Sequence, residues 1–163
     1  KLSERINEYL KIRRNSDSAN ILMKNEQGEY LSAEEPYIGG VLSFETAERT
    51  TSGAVRKLII HGTAGDAMVC GELNIRYVLG PGDEKITTHT QTDTTFEFLP
   101  SAYIYIEELY EDGAVTGYRI TGGGYGHGIG MSQNAVSAMV KQGMRYDDIL
   151  EFFYNNVDIV NIY

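Results

Sequence analysis

Cysteine is almost absent from this sequence. Cys70 stands alone among 163 residues, so no internal disulfide can form. That leaves the compartment open, since many proteins outside the cytoplasm also lack disulfides. Tryptophan is missing altogether, and the aromatic content rests on twelve tyrosines and five phenylalanines. A tyrosine offers a flat apolar face and a hydroxyl, which suits sugar or peptide surfaces and half-buried strands alike. Basic residues are scarce. Fourteen Lys and Arg stand against 23 Asp and Glu, a net charge of −9. The best basic cluster, Lys11, Arg13 and Arg14, is too small for a phosphate backbone, which argues against a nucleic-acid partner. Long apolar runs are lacking too. Nothing approaches the ~18 residues of a membrane-spanning helix. The amphipathic N-terminal stretch KLSERINEYLKIRR has no apolar core of the signal-peptide kind.

What is present fits one domain over residues 1–163 with a real core, since hydrophobic residues make up 42% and charged residues 23%. Residues 1–14 predict a helix, with Ser3 as its cap, Glu4 at its positive end, and Ile6 and Leu10 at helical spacing. A strand begins near Ile21 and a turn covers residues 25–29. From Leu42 the pattern is strand, turn at Ser52-Gly53, strand 54–62, turn, and strand 67–71. Residues 72–79 read as a helix stopped by Gly80-Pro81-Gly82. Residues 96–100 and 103–107 read as extended, and Glu111-Asp112-Gly113 turns into a strand over 115–121. Two helices follow: one from Ser132 to Gly143 with Ala135, Met139 and Val140 on one face, and one from Tyr146 burying Ile149, Leu150, Phe152 and Phe153. A last strand is expected over 157–162. The fold class is therefore α+β, a mainly antiparallel sheet with an N-terminal helix and two C-terminal helices.

The stretch GGGYGHGIGMSQ at residues 122–133 is the chemical signal. It is no P-loop, because no lysine follows before Lys141. Dinucleotide spacing fails, because Ile129 or Met131 stands where the third glycine is required. A serine elbow fails at Asn134. Tyr125, Ile129 and Met131 would be unfavourable in a solvated linker. Glycines at 124, 126, 128 and 130 alternate with Tyr125, His127, Ile129 and Met131. In an extended chain those four side chains would share one face, and the other would be bare backbone. A glycine-rich packing corner, with His127 donating to a carbonyl, explains the residue types equally well.

The run Tyr125-Gly126-His127-Gly128-Ile129-Gly130-Met131-Ser132-Gln133, followed by Ala135, Ala138-Met139, Gly143, Tyr146, Ile149-Leu150 and Phe153-Tyr154, resembles the C-terminal signature of the stage II sporulation protein D (SpoIID/LytB) family. Upstream, Ser52-Gly53-Ala54-Val55, Leu58-Ile59-Ile60 with Gly62, Ile75-Arg76 with Leu79-Gly80, and Leu99-Pro100-Ser101 with Tyr103-Ile104 resemble further family segments in order. The resemblance covers about residues 40–163. It implies a bacterial, extracytoplasmic protein of the cell envelope that acts on peptidoglycan. The sporulation enzyme is a lytic transglycosylase, in which one Glu serves as general acid and then as general base on the muramoyl 6-hydroxyl; other members are described as amidase enhancers. A single carboxyl suffices because no water must be activated.

The family's catalytic segment, of the form A-x-E-M-P, does not occur here; neither Glu34-Glu35-Pro36 nor Phe44-Glu45-Thr46 matches it. No catalytic acid is assigned. The abrupt start at Lys1 favours the C-terminal part of a longer enzyme, inactive alone, over a family member without the catalytic half, a wall-binding or amidase-enhancing module. The implied partners are peptidoglycan glycan strands, the N-terminal part of the same protein, and a cell-wall amidase.

The resemblance makes Tyr125, Gly126, His127, Gly128, Gly130, Ser132, Gln133 and Arg76 the substrate-binding candidates. His127 offers to hold a sugar hydroxyl or orient an acid. Tyr125 suits sugar stacking or core packing. Ser132 suits sugar contact or a helix cap. Gln133 suits an N-acetyl group or a loop bond. Arg76 suits an anionic lactyl carboxylate or an ordinary ion pair. Tyr154, after Phe152 and Phe153, reads as core. Some relatives hold zinc through His and Cys. The four available residues, His61, Cys70, His89 and His127, lack the short spacing of zinc ligands, so no metal or other cofactor is expected and Cys70 reads as a small buried group.

Overall fold

The computed structural model describes residues 1–89 and 95–160. It is α+β, and its strands pair antiparallel throughout the described residues. The chain forms two compact units, Lys1–Gly128 and Ile129–Tyr163. No helix among the described residues is long and apolar enough to cross a membrane.

In the first unit, α1 (Leu2–Ser16) buries Ile6 and Leu10, one turn apart on one face. Ser3 does not cap it. The helix starts at Leu2 after Lys1, so Ser3 lies inside the first turn, and its hydroxyl accepts the Val41 N–H instead (3.0 Å). Asn7 ties the helix to the loop before the third strand. It accepts the Ile38 N–H (2.9 Å) and donates to the Gly39 carbonyl (2.9 Å).

Five strands follow: β1 (Ile21–Lys24), β2 (Tyr30–Ser32), β3 (Val41–Arg49), β4 (Val55–Gly62) and β5 (Gly65–Cys70). Their order in the sheet is β2-β1-β5-β4-β3. The interior position of β4, paired on both sides, explains its near-continuous apolar run. Leu58, Ile59 and Ile60 are all buried, as expected for a strand covered on both faces. Next comes α2 (Glu72–Val78), whose Ile75 and Val78 join Ile6, Leu10, Leu58, Ile60 and Val69 in the core.

Residues 96–100 were expected to be extended, but no strand forms there. The end of α2 takes the hydrogen bonds of Leu99: its N–H donates to the Arg76 carbonyl (3.1 Å), and Arg76 Nε donates to its carbonyl (2.8 Å). Phe98 lies against the Tyr77 ring, with centroids 4.5 Å apart. A ribbon of β6 (Ile104–Glu111) and β7 (Ala114–Gly122) completes the unit. Asp112 and Gly113 turn it with φ of 50° and 81°, the left-handed pair of a tight hairpin.

In the second unit, Ser132 accepts the Ala135 N–H (3.3 Å) and caps α3 (Gln133–Lys141). Gly143 closes that helix at φ 85°, with its N–H on the Val140 carbonyl and Met144 N–H on the Met139 carbonyl. Asp147 and Asp148 occupy the first turn of α4 (Tyr146–Phe153). Ile149 is buried, but Phe152 is 68% exposed, against expectation. The inward stripe runs through Ile149, Leu150 and Phe153, and Phe152 falls at its edge, edge-on to Phe153. Val157–160 of the expected last strand carries no regular structure, and Asn161 and Ile162 lie outside the described residues.

Candidate functional site

The first unit holds the Tyr125–Gly128 half of the glycine stretch, and four hydrogen bonds show how. Gly123 N–H donates to the Tyr103 carbonyl (3.0 Å), and Gly126 N–H donates to the Pro100 carbonyl (2.8 Å). The Ser101 hydroxyl donates to the Gly123 carbonyl and accepts the Tyr103 N–H (3.1 Å). Ser101 is buried, so this hydroxyl is an interior fastener of the loop. The Tyr103 hydroxyl donates to Ser52 Oγ (3.0 Å) in the turn before β4. Val55 N–H donates to the Ala102 carbonyl (2.8 Å), joining the same segment to the sheet.

Tyr103 is the pivot of the loop. A Cβ on Gly128 would stand 2.3 Å from its hydroxyl oxygen and 2.8 Å from its ring, at a φ of 70°. Gly128 is therefore required both by conformation and by the ring beside it. The extended reading of this stretch does not hold. Gly124, Gly126, Gly128 and Gly130 have φ of 80°, 110°, 70° and 85°, and no strand continues past Gly122. A left-handed residue at every second position redirects the chain each time, so strand alternation no longer sorts the side chains into faces. What the loop does offer to solvent is Tyr125, 81% exposed, and His127, also exposed.

Arg76 stands behind this loop. It is 7% exposed, its guanidinium lies over Phe98, and it bonds both the Leu99 carbonyl and Glu72 (3.1 Å). It positions the segment 99–103 that in turn holds the loop. In the second unit, Gly130 approaches the Tyr154 hydroxyl, where a Cβ would come within 3.2 Å. Tyr154 is 40% exposed and so is not a core residue. Ser132 is engaged as a helix cap, and Gln133 opens α3 with its side chain exposed. An apolar groove of about 420 Å³ lies between α3 and α4, lined among others by Met131, Val136, Val140 and Ile149.

Of the residues considered for zinc, His61 has carboxylate partners. His61 contacts Asp66 through Nδ1 (3.2 Å) and Glu45 through Nε2 (3.3 Å), and Lys24 reaches Asp66 (3.5 Å). Cys70 is half-buried, not fully buried. Burial pushes its thiol pKa up, and nearby Lys57 opposes that shift. Among the described residues no group of three His, Cys, Asp or Glu can hold a metal ion.

Residue-by-residue reading of the sequence missed Tyr103, Ser101 and Ser52 as holders of the loop. The signal was present: the segments Ser52–Val55 and Leu99–Ile104 were both noted, but as separate matches, and only the fold brings them to one place.

Residues 7–130 match the family model described as Domain of unknown function (DUF8618). The chain belongs to the DUF8618 family. The DUF8618 match thus includes the loop and all its fasteners, and it ends near the boundary between the two units. Three shorter similarities are found. A stretch of 37 residues, 23% of this chain, is 54% identical to the Amidase enhancer of Bacillus subtilis, covering 5% of that protein. Another of 40 residues, 24% of this chain, is 42% identical to Stage II sporulation protein D of Bacillus subtilis, covering 12% of it. A third of 45 residues, 28% of this chain, is 49% identical to an uncharacterized protein of Brachyspira hyodysenteriae, also covering 12% of it. No solved structure matches.

Proposed function

We propose that this chain is the glycan-facing part of an extracytoplasmic protein of the stage II sporulation protein D type, acting on peptidoglycan strands. The observation that carries the reading is the loop from Gly123 to Gly128. Its backbone is fastened from beneath by Pro100, Ser101 and Tyr103, and it displays Tyr125 and His127 to solvent. An exposed tyrosine beside an imidazole on a fixed backbone suits a sugar ring and its hydroxyls. The partial similarity to Stage II sporulation protein D supports the same reading. In it, Tyr125, Gly126, His127 and Gly128 are the substrate contacts of the first unit, and Gly130, Ser132 and Gln133 are candidate contacts of the second unit. Arg76 is needed indirectly, through Leu99. The general acid comes from a glutamate of a longer parent protein, since residues 1–163 carry no A-x-E-M-P-like segment.

The test is digestion of peptide-stripped glycan strands followed by mass spectrometry for anhydro-muramic ends. The parent protein should produce them and residues 1–163 alone should not. Anhydro ends from this chain alone would overturn the assignment of the acid. His127→Ala in the parent should lower turnover or strand affinity about tenfold or more, the scale of one lost positioned polar contact. The similarity to a protein named Amidase enhancer favours a second reading, a module that stimulates a cell-wall amidase. Adding the chain to such an amidase should raise its rate of stem-peptide release if that reading holds.

A further inference from the structure

We propose that Tyr105 and Arg49 form a second sugar-binding position, separate from the glycine loop, that takes an N-acetylated hexopyranose. The inference rests on the glycan reading above and adds a place and a preference to it. Tyr105 lies on β6 and is 69% exposed. Strand alternation puts it on the face opposite Ile104 and Ile106, which turn to the core cluster. An exposed tyrosine on a ribbon is ordinarily free to rotate. This one is not, because the Arg49 guanidinium lies over its ring, 4.6 Å from the centroid. Arg49 is itself fixed. Its two terminal nitrogens donate to the Gly53 and Ile104 carbonyls, each at 2.8 Å. The ring is thus held at a set angle with one face on a cation and much of its surface in water. A ring oriented in advance loses little freedom when a ligand stacks on it.

The surroundings select the ligand. By register, Thr121 stands across from Tyr105, and Glu107 and Arg119 form the next pair on that face. These supply hydroxyl, carboxylate and guanidinium groups to a ring that stacks through C–H bonds and carries hydroxyls at its rim. A nucleobase would stack as well, but Glu107 on the same face and the net charge of −9 oppose its phosphates.

Calorimetric titration of the 163-residue chain with chitotetraose and with peptide-stripped glycan strands tests the proposal. Tyr105→Ala should weaken binding of both about 3- to 10-fold, the range of one aromatic stacking contact, and Tyr105→Phe should stay within about twofold. Circular dichroism of both variants should match the wild type, since the side chain is exposed. If Tyr105→Ala binds as the wild type does while His127→Ala loses affinity, the second position is overturned and the glycan reading stands. If the wild-type chain binds neither probe, the glycan reading fails and this inference fails with it. If a short oligothymidine binds more tightly than chitotetraose and depends on Tyr105, the ligand class assigned here is wrong.

Discussion

Leu58 and Ile60 of β4 expose no surface, while Val140 of α3 and Phe152 of α4 expose 57% and 68%. All four are large and apolar, so hydrophobicity alone does not separate them. What differs is the number of layers around them. The unit Lys1–Gly128 places two helices over a five-stranded sheet and has a core of fully buried side chains. The unit Ile129–Tyr163 has two short helices, and Ile149 is its one buried apolar side chain among the described residues. At under ~40 residues a unit cannot enclose much, and its helices keep apolar surface in contact with water. The match to DUF8618 stops near the same boundary, so the family is defined by the part with the core.

The largest effects should therefore be confined to one side of the comparison. Leu58→Ala should lower unfolding stability by about 2–5 kcal/mol in urea, as for other fully buried leucines. Phe152→Ala should change it by less than about 0.5 kcal/mol. Equal losses would mean that Phe152 is covered in solution, and a concentration dependence of its effect would identify self-association as the cover.

A glycine pair sharpens the comparison at intermediate size. Gly128 and Gly143 share the left-handed conformation, with φ of 70° and 85°. A Cβ on Gly143 meets nothing within 4 Å, whereas one on Gly128 meets the Tyr103 ring. Gly143→Ala should then cost about 1 kcal/mol from backbone conformation alone. Gly128→Ala should cost about 2–4 kcal/mol, because the ring or the loop must also move. Equal costs in thermal unfolding would show that Tyr103 yields easily and does not fix the loop.

The parts legible in the sequence were those set by local chemistry. The helix of Ile6 and Leu10, the buried run of β4, the Asp112-Gly113 turn and the Ser132 cap all follow from short-range patterns, and the fold class follows from their order. The misreadings arose where distant groups decided. Ser3 was taken by Val41, and Leu99 exchanged its backbone hydrogen bonds with Arg76. The glycine stretch has period two, which in most sequences means a strand; four left-handed glycines made it a loop. Its candidate residues could be named from the motif. Its support by Ser52, Ser101 and Tyr103 needed the fold, because those residues lie 20 to 80 positions away along the chain.

The smallest effects concern two surface ion pairs, one in each unit. Lys57 reaches Glu48 at 2.7 Å, and Arg145 holds Asp147 through two bonds of 3.1 and 3.0 Å. In each case the basic partner's hydrogen bond is the main cause that lowers the carboxyl pKa below the usual carboxylate range. A carboxylate with a depressed folded pKa adds stability above its unfolded pKa. That contribution fades as pH falls through the lowered value, so both pairs act on the acid side, below about pH 4. Both are solvent-exposed, and salt should screen them. The units should still differ in what remains once the base is removed. Asp147 is also bonded by the Asp148 N–H (3.2 Å) in the first turn of α4, whereas Glu48 keeps only Arg56 at 3.5 Å. In a carbon-detected NMR titration, Lys57→Met should return Glu48 most of the way to its ordinary pKa. Arg145→Met should leave Asp147 depressed, because backbone N–H groups and the helix end still favour its charge. Full recovery at Asp147 would mean that α4 is frayed at its first turn, and that the C-terminal unit is less ordered than its hydrogen bonds imply.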